Sequence, residues 1–280
     1  MVAESRIVQH VAQHYGNEGI ADRIIAALRA VNGTETPITV DALSVLDHFH
    51  GRGVAATQEL VALLTPQPGE RVLDIGSGIG GPARWIATKC GCHVTGVDLT
   101  PAFCAAARAL IEATGLTDRV DIIDGSALAL PVPDGAFDRA YSQNVAMNIE
   151  DKLGMYREAF RALRPGGVLA LSNLCAGGDG AFRYPVPWAE TAATSFLATP
   201  ARMRADLLAA GFEIVSFRDT TEETLPATIR NRERLQRDGL PQLGTHLIMG
   251  ERLREMQINS ALNQEEGRGR TVEALVRKPG

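Results

Sequence analysis

The side chains best suited to chemistry surround a glycine-rich loop in the first half of the chain. The run D-I-G-S-G-I-G places Asp74 two residues before Gly76, and Asp98 follows after a further helix and strand. Glycines let a loop turn tightly and bring its backbone close to a ligand. A carboxylate at the mouth of the loop would repel a pyrophosphate, but it suits a ligand that carries an ammonium and a sulfonium. We therefore expect a positively charged ligand and not a dinucleotide.

The motif D-x-G-x-G-x-G, together with Asp98, resembles the class I S-adenosylmethionine (SAM) dependent methyltransferases. Two further features are similar to that family: the segment of residues 130–138, which ends in F-D before a strand, and the L-R-P-G-G run of residues 163–167. More narrowly, the chain resembles the ubiquinone/menaquinone-biosynthesis and sarcosine/dimethylglycine methyltransferase group. The resemblance implies SAM as cofactor and a small molecule as methyl acceptor.

The resemblance also implies roles for particular residues. In the family the glycine loop packs against the amino-acid end of SAM, and the acid after the second strand binds both ribose hydroxyls. An acid at the end of the third strand, or a neighbour, contacts the adenine amine; Asp124 stands at that position, although Asp124-Gly125 could be turn chemistry alone. The expected SAM-binding residues are Asp74, Gly76, Ser77, Gly78, Gly80, Asp98, Leu99, Asp124, Gly125, Ser126, Ala127 and Ser142.

Residues that would contact the acceptor come from four segments. A tyrosine of the first helix often faces the methyl group in the family, and two histidines flank Phe49 just before the core. Two amides follow the fourth strand, and an irregular stretch over residues 175–195 concentrates aromatic residues. The candidate catalytic residues are Tyr15, His48, His50, Gln143, Asn144 and Trp188. The histidines could equally serve packing and loop hydrogen bonds, and the amides could cap the next helix.

The elements that must position these residues alternate between strands and helices. The predicted strands are 71–75, 93–97, 119–123, 137–142, 168–174, 212–218 and 271–277. With the resemblance, they predict an α/β fold: a doubly wound, Rossmann-like, seven-stranded sheet whose last strand is antiparallel. The predicted domains are a helical N-terminal cap over residues 1–65, with a first helix near residues 7–12, a SAM-binding core over 66–219 plus 271–280, and a helical lid insertion over 220–270.

Composition narrows the function classes. The formal net charge of −5, with no local cluster of Lys and Arg, gives no electrostatic footprint for nucleic acid. No apolar run reaches the roughly 20 residues that span a bilayer. The four cysteines show no disulfide framework and no second pair for a metal site, so we expect a reducing, cytoplasmic location and no metal. Oligomer formation is possible.

Together these features predict an enzyme that moves the methyl group of SAM by in-line displacement onto a small-molecule acceptor, with a nitrogen or oxygen nucleophile favoured. Two alternatives stay open: methylation of carbon in an isoprenoid or quinone-like acceptor, and a regulatory protein that binds SAM without catalysis. A nicotinamide-dependent reductase is disfavoured by Asp74.

Overall fold

A seven-stranded mixed sheet forms the centre of the protein. The computed structural model describes residues 19–48, 52–178 and 180–280. The strands are β1 (Arg71–Ile75), β2 (His93–Asp98), β3 (Val120–Asp124), β4 (Phe137–Gln143), β5 (Leu163–Ala176), β6 (Glu213–Asp219) and β7 (Gly269–Arg277). Their order is β3-β2-β1-β4-β5-β7-β6. β7 is antiparallel to both of its neighbours, whereas the other strand pairs are parallel. The predicted fold class is therefore confirmed.

Helices cover both faces of the sheet and its carboxyl edge. They are α1 (Ile20–Asn32), α2 (Val40–Leu43), α3 (Val54–Leu64), α4 (Gly81–Cys90), α5 (Pro101–Ala113), α6 (Lys152–Ala162), α7 (Pro200–Ala209), α8 (Thr221–Asp238), α9 (His246–Met249) and α10 (Leu253–Glu265). The first predicted helix, near residues 7–12, lies outside the described residues. No helix of the described ranges is both long and apolar enough to cross a bilayer.

The glycine loop forms where the sequence predicts it, between a buried strand and a helix. Leu73 and Ile75 of β1 are fully buried, as expected for a central parallel strand. Pro82 occupies the first turn of α4, where its missing N–H costs no helical hydrogen bond. Thr100 precedes α5, but its side chain does not cap the helix; its backbone N–H instead donates to Asp98 Oδ1 over 2.9 Å.

The L-R-P-G-G run lies inside the fifth strand, which begins earlier than the predicted 168–174. β5 begins at Leu163, which pairs with Phe137, and the register with β4 then shifts before Arg139 pairs with Val168. Gly166 takes a φ of 76°, in the region that favours glycine. The run is therefore an irregularity inside a longer strand, because Leu163 already pairs with β4 before the chain turns.

The N-terminal helices and the insertion after β6 meet over α5. Leu28 of α1, Leu46 after α2, Leu110 of α5 and Ile248 of α9 belong to one buried apolar cluster. α8 and α10 pack against each other and against β7. These contacts hold the insertion against the carboxyl edge of the sheet; the predicted domain boundaries stay a prediction.

Candidate active site

A cavity of about 630 Å³ opens at the carboxyl ends of the parallel strands. Its walls come from the glycine loop, the ends of β2 and β4, the segment around Trp188, and the helices α8 and α10. Ligands of open α/β sheets bind at this edge. The cavity therefore joins the predicted SAM site to the insertion.

Asp98 forms the wall of the cavity at the end of β2. Its Oδ2 accepts a hydrogen bond from Gly78 N over 2.8 Å, and its Oδ1 accepts one from Thr100 N over 2.9 Å. Burial raises the pKa of Asp98, and these two backbone donors oppose the rise. Each carboxylate oxygen retains acceptor capacity, so the pair of oxygens can receive two adjacent hydroxyl groups.

A left-handed residue brings the end of β4 against the glycine loop. Asn144 has a φ of 54°, a conformation that Asn adopts more readily than most residues, and its N–H donates to Ser172 O over 2.8 Å. The next residue, Val145, packs so closely that a Cβ on Gly76 would lie 2.3 Å from Val145 Cγ2. Gly76 is thus required by this contact as well as by its φ of 83°. Gly76, Asn144 and Val145 all line the cavity.

Asp74 lies behind the loop, buried at the end of β1. Burial raises its pKa to about 7; the Tyr141 hydroxyl lowers the pKa, and the charge of Asp98 raises it. Its Oδ2 has no hydrogen-bond partner among the residues that the structure describes. A buried carboxyl with an unused oxygen favours a cationic ligand nearby, because such a ligand would stabilise its ionised form.

The segment after β3 contributes backbone and small side chains. Gly125, Ser126 and Ala127 line the cavity, and a Cβ on Gly125 would lie 2.7 Å from Pro131 Cγ. The Asp124 carboxylate lies outside the cavity wall and pairs with the Arg108 guanidinium, which lowers its pKa. The expected contact of Asp124 with adenine therefore stays a prediction. The residues that follow it, 125–127, form the cavity wall at this point.

The other candidate SAM-binding residues either line the cavity or hold the glycine loop in place. Leu99 lines the cavity. Ser142 Oγ donates to Ile75 O over 2.9 Å and so ties β4 to β1 behind the loop. Ser77 and Gly80 shape the loop, since Gly80 N donates to Ser77 O over 2.8 Å.

A chain of polar side chains leads from Gln143 away from the cavity. Thr57 Oγ1 donates to Gln143 Oε1 over 3.3 Å and contacts His48 Nδ1 at 2.8 Å. Gln143 lines the cavity, and its Nε2 has no hydrogen-bond partner in the described part of the chain. His48 is buried behind Thr57, and burial, followed by the charge of Arg84, lowers its pKa to about 4. The structure therefore gives His48 an indirect link to the cavity and not direct contact.

Asp47, next to His48, forms a buried ion pair that the sequence analysis did not find. Its Oδ2 accepts from Arg84 Nη2 over 2.6 Å, and Arg84 Nη1 donates to Ile79 O in the glycine loop over 2.7 Å. Burial raises the pKa of Asp47, whereas Arg84 lowers it. The pair fastens the N-terminal segment to the loop. Asp47 and Arg84 are 37 positions apart, so no local pattern reveals the contact.

Trp188 enters the cavity wall on a loop that α10 holds in place. Asn263 is fully buried and bonds both backbone groups of Arg183, accepting from its N–H over 2.8 Å and donating to its carbonyl over 3.0 Å. One turn earlier, Asn259 Nδ2 donates to Pro185 O over 3.0 Å. The indole N–H of Trp188 donates to Ser195 Oγ over 3.0 Å. The loop that carries Trp188 is thus fixed to the insertion.

The helices α8 and α10 each present one polar, uncharged face to the cavity. We call this part the polar chamber; it consists of Thr224, Thr228, Asn231, Gln257, Ser260 and Gln264. The spacings of three, four and seven residues place each trio on one helical face. That spacing is readable in the sequence, but only the fold shows that both faces point into the same cavity.

The remaining candidates, Tyr15 and His50, lie outside the described residues. Of the placed candidates, the structure brings together Gln143, Asn144, Trp188, Asp98 and the loop glycines Gly76 and Gly78 around one cavity. The donor set fits SAM: Asp98 can receive the ribose hydroxyls, and Asp74 and Asp98 supply negative charge for a cation. In the described ranges, Arg52 is the one cationic side chain of the cavity wall, and it pairs with Glu59 at 2.6 Å, so a pyrophosphate would find little compensation.

The sheet order, the glycine loop and Asp98 define a protein with the class I methyltransferase fold. Residues 73–171 match the family model described as "Methyltransferase domain". The methyltransferase GfsG of Streptomyces halstedii is 35% identical over 135 residues, which are 48% of this chain and 49% of the relative. The chain spans from about a quarter to about half of the length of the first curated relatives.

Solved structures extend the likeness to nearly the whole chain. The [4+2]-cyclase SpnF has a TM-score of 0.67 and 24% identity, with 97% of each chain covered. Geranyl diphosphate C-methyltransferase of Streptomyces coelicolor A3(2), solved with Mg2+, geranyl diphosphate and S-adenosyl-L-homocysteine, has a TM-score of 0.70 and 17% identity over 97% of each chain. These similarities show the shared fold. The first of them carries the name of a cyclase, so the fold alone does not establish the reaction.

Proposed function

We propose that the protein is a SAM-dependent methyltransferase that acts on a small-molecule acceptor, with nitrogen or oxygen as the favoured nucleophile. The observation that carries the proposal is Asp98, which lies beside the glycine loop in a cavity large enough for a second ligand. The match of residues 73–171 to a methyltransferase domain supports it.

When bound, SAM supplies a methyl group made electrophilic by the adjacent sulfonium. The task of the chain is to hold a nucleophile in line with that group, about 3 to 3.5 Å away, and to exclude water. Asp98 would receive the ribose hydroxyls, and the segment 125–127 would border the adenine. Gln143, whose side chain lines the wall, would help to position the acceptor.

Among the described residues, the wall holds carboxylates but no histidine, lysine, cysteine or tyrosine that could act as a general base. His48 is neutral near pH 7, since its pKa is lowered to about 4, and it reaches the cavity only through Thr57 and Gln143. An acceptor nitrogen would therefore have to arrive neutral, and an acceptor hydroxyl would have to lose its proton to water or to a wall carboxylate such as Glu150. We also propose a cytoplasmic location, which the four free cysteines support.

The test combines binding with turnover. Calorimetry with SAM and S-adenosylhomocysteine should show saturable binding by the wild type. Asp98→Ala should weaken the binding by at least about 100-fold, since two charge-assisted hydrogen bonds are lost at roughly 1.5 kcal/mol or more each. Asp118→Ala is the matched control, because its carboxylate is exposed just before β3 and lies outside the cavity wall. Formation of S-adenosylhomocysteine with pooled acceptors would establish catalysis; unchanged affinity in Asp98→Ala would refute the site.

A further inference from the structure

The polar chamber carries information about the acceptor, and the inference below rests on the proposed function. Its six side chains are all uncharged, and they share the cavity with apolar wall residues that include Met147, Leu174 and Trp188. Such a wall combines directional hydrogen bonds with apolar contact area. It differs from the wall expected for a phosphate or carboxylate, which needs a positive charge close by.

The hydrogen-bonding state of the chamber determines what it can recognise. Asn231 Oδ1 accepts from Arg234 Nη2 over 2.9 Å; because a guanidinium only donates, the amide orientation is fixed and Nδ2 remains as a donor. Gln264 Oε1 is contacted by Thr271 Oγ1 at 3.4 Å. Because a hydroxyl both donates and accepts, Gln264 can offer either side of its amide to a ligand. The two helices thus place amide groups on the cavity wall that can pair with oxygen atoms of a ligand.

The threonines of α8 complement these donors. Thr224 Oγ1 donates to Thr220 O over 3.0 Å, and Thr228 Oγ1 donates to Thr224 O over 3.3 Å. Each hydroxyl hydrogen is used within the helix, so the hydroxyl oxygen is left as an acceptor toward the cavity. The chamber can therefore pair with carbonyl and ether oxygens and also with hydroxyl groups.

Charge around the cavity opposes an anionic acceptor. In the described part of the chain the wall holds three carboxylates, Asp98, Glu150 and Asp151, and one cation, Arg52. Arg52 Nη1 is bonded to Glu59 Oε1 at 2.6 Å, so its charge is already compensated. Arg234, which donates to Asn231, is exposed and does not belong to the wall, so its charge is screened by water. An anion inside the chamber would therefore lose its hydration without a buried opposite charge to replace it.

We infer that the acceptor is an uncharged, largely apolar molecule that bears several oxygen functions, and that α8 and α10 select it against phosphorylated or carboxylated molecules. Geranyl diphosphate, the ligand in one of the similar structures, belongs to the rejected class. The selecting groups are the side-chain amides of Asn231 and Gln264, the hydroxyl oxygens of Thr224 and Thr228, and the uncharged side chains of Gln257 and Ser260.

The test compares matched molecules that differ only by an anionic group. Full-length protein saturated with S-adenosylhomocysteine is titrated with hydrocortisone and its phosphate monoester, with estriol and its sulfate ester, and with geraniol and geranyl diphosphate. We expect the neutral member of the oxygen-rich pairs to bind at least about tenfold more tightly than its anionic partner. Tighter or equal binding of the anionic members would overturn the inference, and so would failure of every neutral probe to bind.

A charge placed in the chamber gives the reciprocal test. Gln257→Lys should reduce the preference for the neutral member or reverse it, whereas Gln236→Lys, an exposed position on α8, should leave it unchanged. Binding of S-adenosylhomocysteine by each variant shows that the site is intact, and the wild-type comparison decides the inference if Gln257→Lys does not fold. If the wild type does not bind S-adenosylhomocysteine at all, the proposed function fails and not the acceptor class.

Discussion

The ion pair between Asp47 and Arg84 gives a sharp prediction about stability. Arg84 is fully buried, and Asp47 is only 2% exposed. Asp47→Asn would keep an oxygen that can accept from Arg84 but would remove the negative charge, so the guanidinium would stay in the interior with only neutral acceptors such as Ile79 O, at 2.7 Å. Arg84 Nε has no partner in the described ranges even in the wild type. Leaving a buried charge uncompensated in this way costs about 3–5 kcal/mol. We expect the free energy of unfolding to fall by that amount.

The assay is equilibrium unfolding in urea, followed by fluorescence and by circular dichroism. At roughly 2–4 °C for each kcal/mol, the melting temperature should fall by at least about 6 °C. Asp238→Asn is the matched control, because Asp238 pairs with Arg237 on the surface. Its melting temperature should equal that of the wild type.

A double substitution separates the pair from its surroundings. Burial raises the pKa of Asp47 despite the neighbouring guanidinium, so desolvation consumes much of the attraction. The double variant Asp47→Leu with Arg84→Met should therefore lose less free energy of unfolding than Asp47→Asn alone. A loss below about 1 kcal/mol for Asp47→Asn, comparable to an exposed pair, would refute the reasoning.

Three further predictions concern the loop and its supports. Burial raises the pKa of Asp74 to about 7. A cationic ligand favours the ionised carboxylate, so SAM binding near pH 7 should release a proton from Asp74. Calorimetry of SAM binding in buffers of different ionisation enthalpy should detect this proton in the wild type and not in Asp74→Asn. Gly81→Ala should lower the melting temperature, because the added Cβ would lie 2.3 Å from the carbonyl oxygen of Asp47; an unchanged melting curve would contradict that close approach. Asn263→Ala should lower the free energy of unfolding by about 1–3 kcal/mol and speed proteolysis of the Trp188 loop, since two hydrogen bonds to Arg183 are lost. Proteolysis at the wild-type rate would show that other contacts hold the loop.

The features that the sequence predicts well are those whose causes lie close together in the chain. Strand β1 is a short apolar run next to glycines, and the helix after it starts with proline. Asp98 is predictable because a strand end and a following N-terminal helix turn lie within a few residues of it. The longer β5 was not predicted, because its first residue becomes a strand only through pairing with Phe137.

The residues that support the site could not be predicted, because their contact partners are far away in the sequence. The sequence suggests His48 as a group that reaches a ligand, yet its ring contacts Thr57, which in turn contacts Gln143, 86 positions later. Glycine at position 81 looks like part of the loop, whereas the space beside it is filled by the backbone of Asp47. These assignments depend on which helices and strands contact each other in the fold. Composition and periodicity do not predict such contacts.

The strand order itself explains why the polar chamber faces the cavity. β6 runs antiparallel to β7, which runs antiparallel to β5, so β6 is parallel to the core strands and ends at their carboxyl edge. β7 must then begin at that same edge. The chain between Asp219 and Gly269 therefore leaves from and returns to the edge where the cavity opens. An insertion at this point is placed over the site whatever its sequence, so changes in α8 and α10 can alter the acceptor without disturbing Asp98 or the glycine loop.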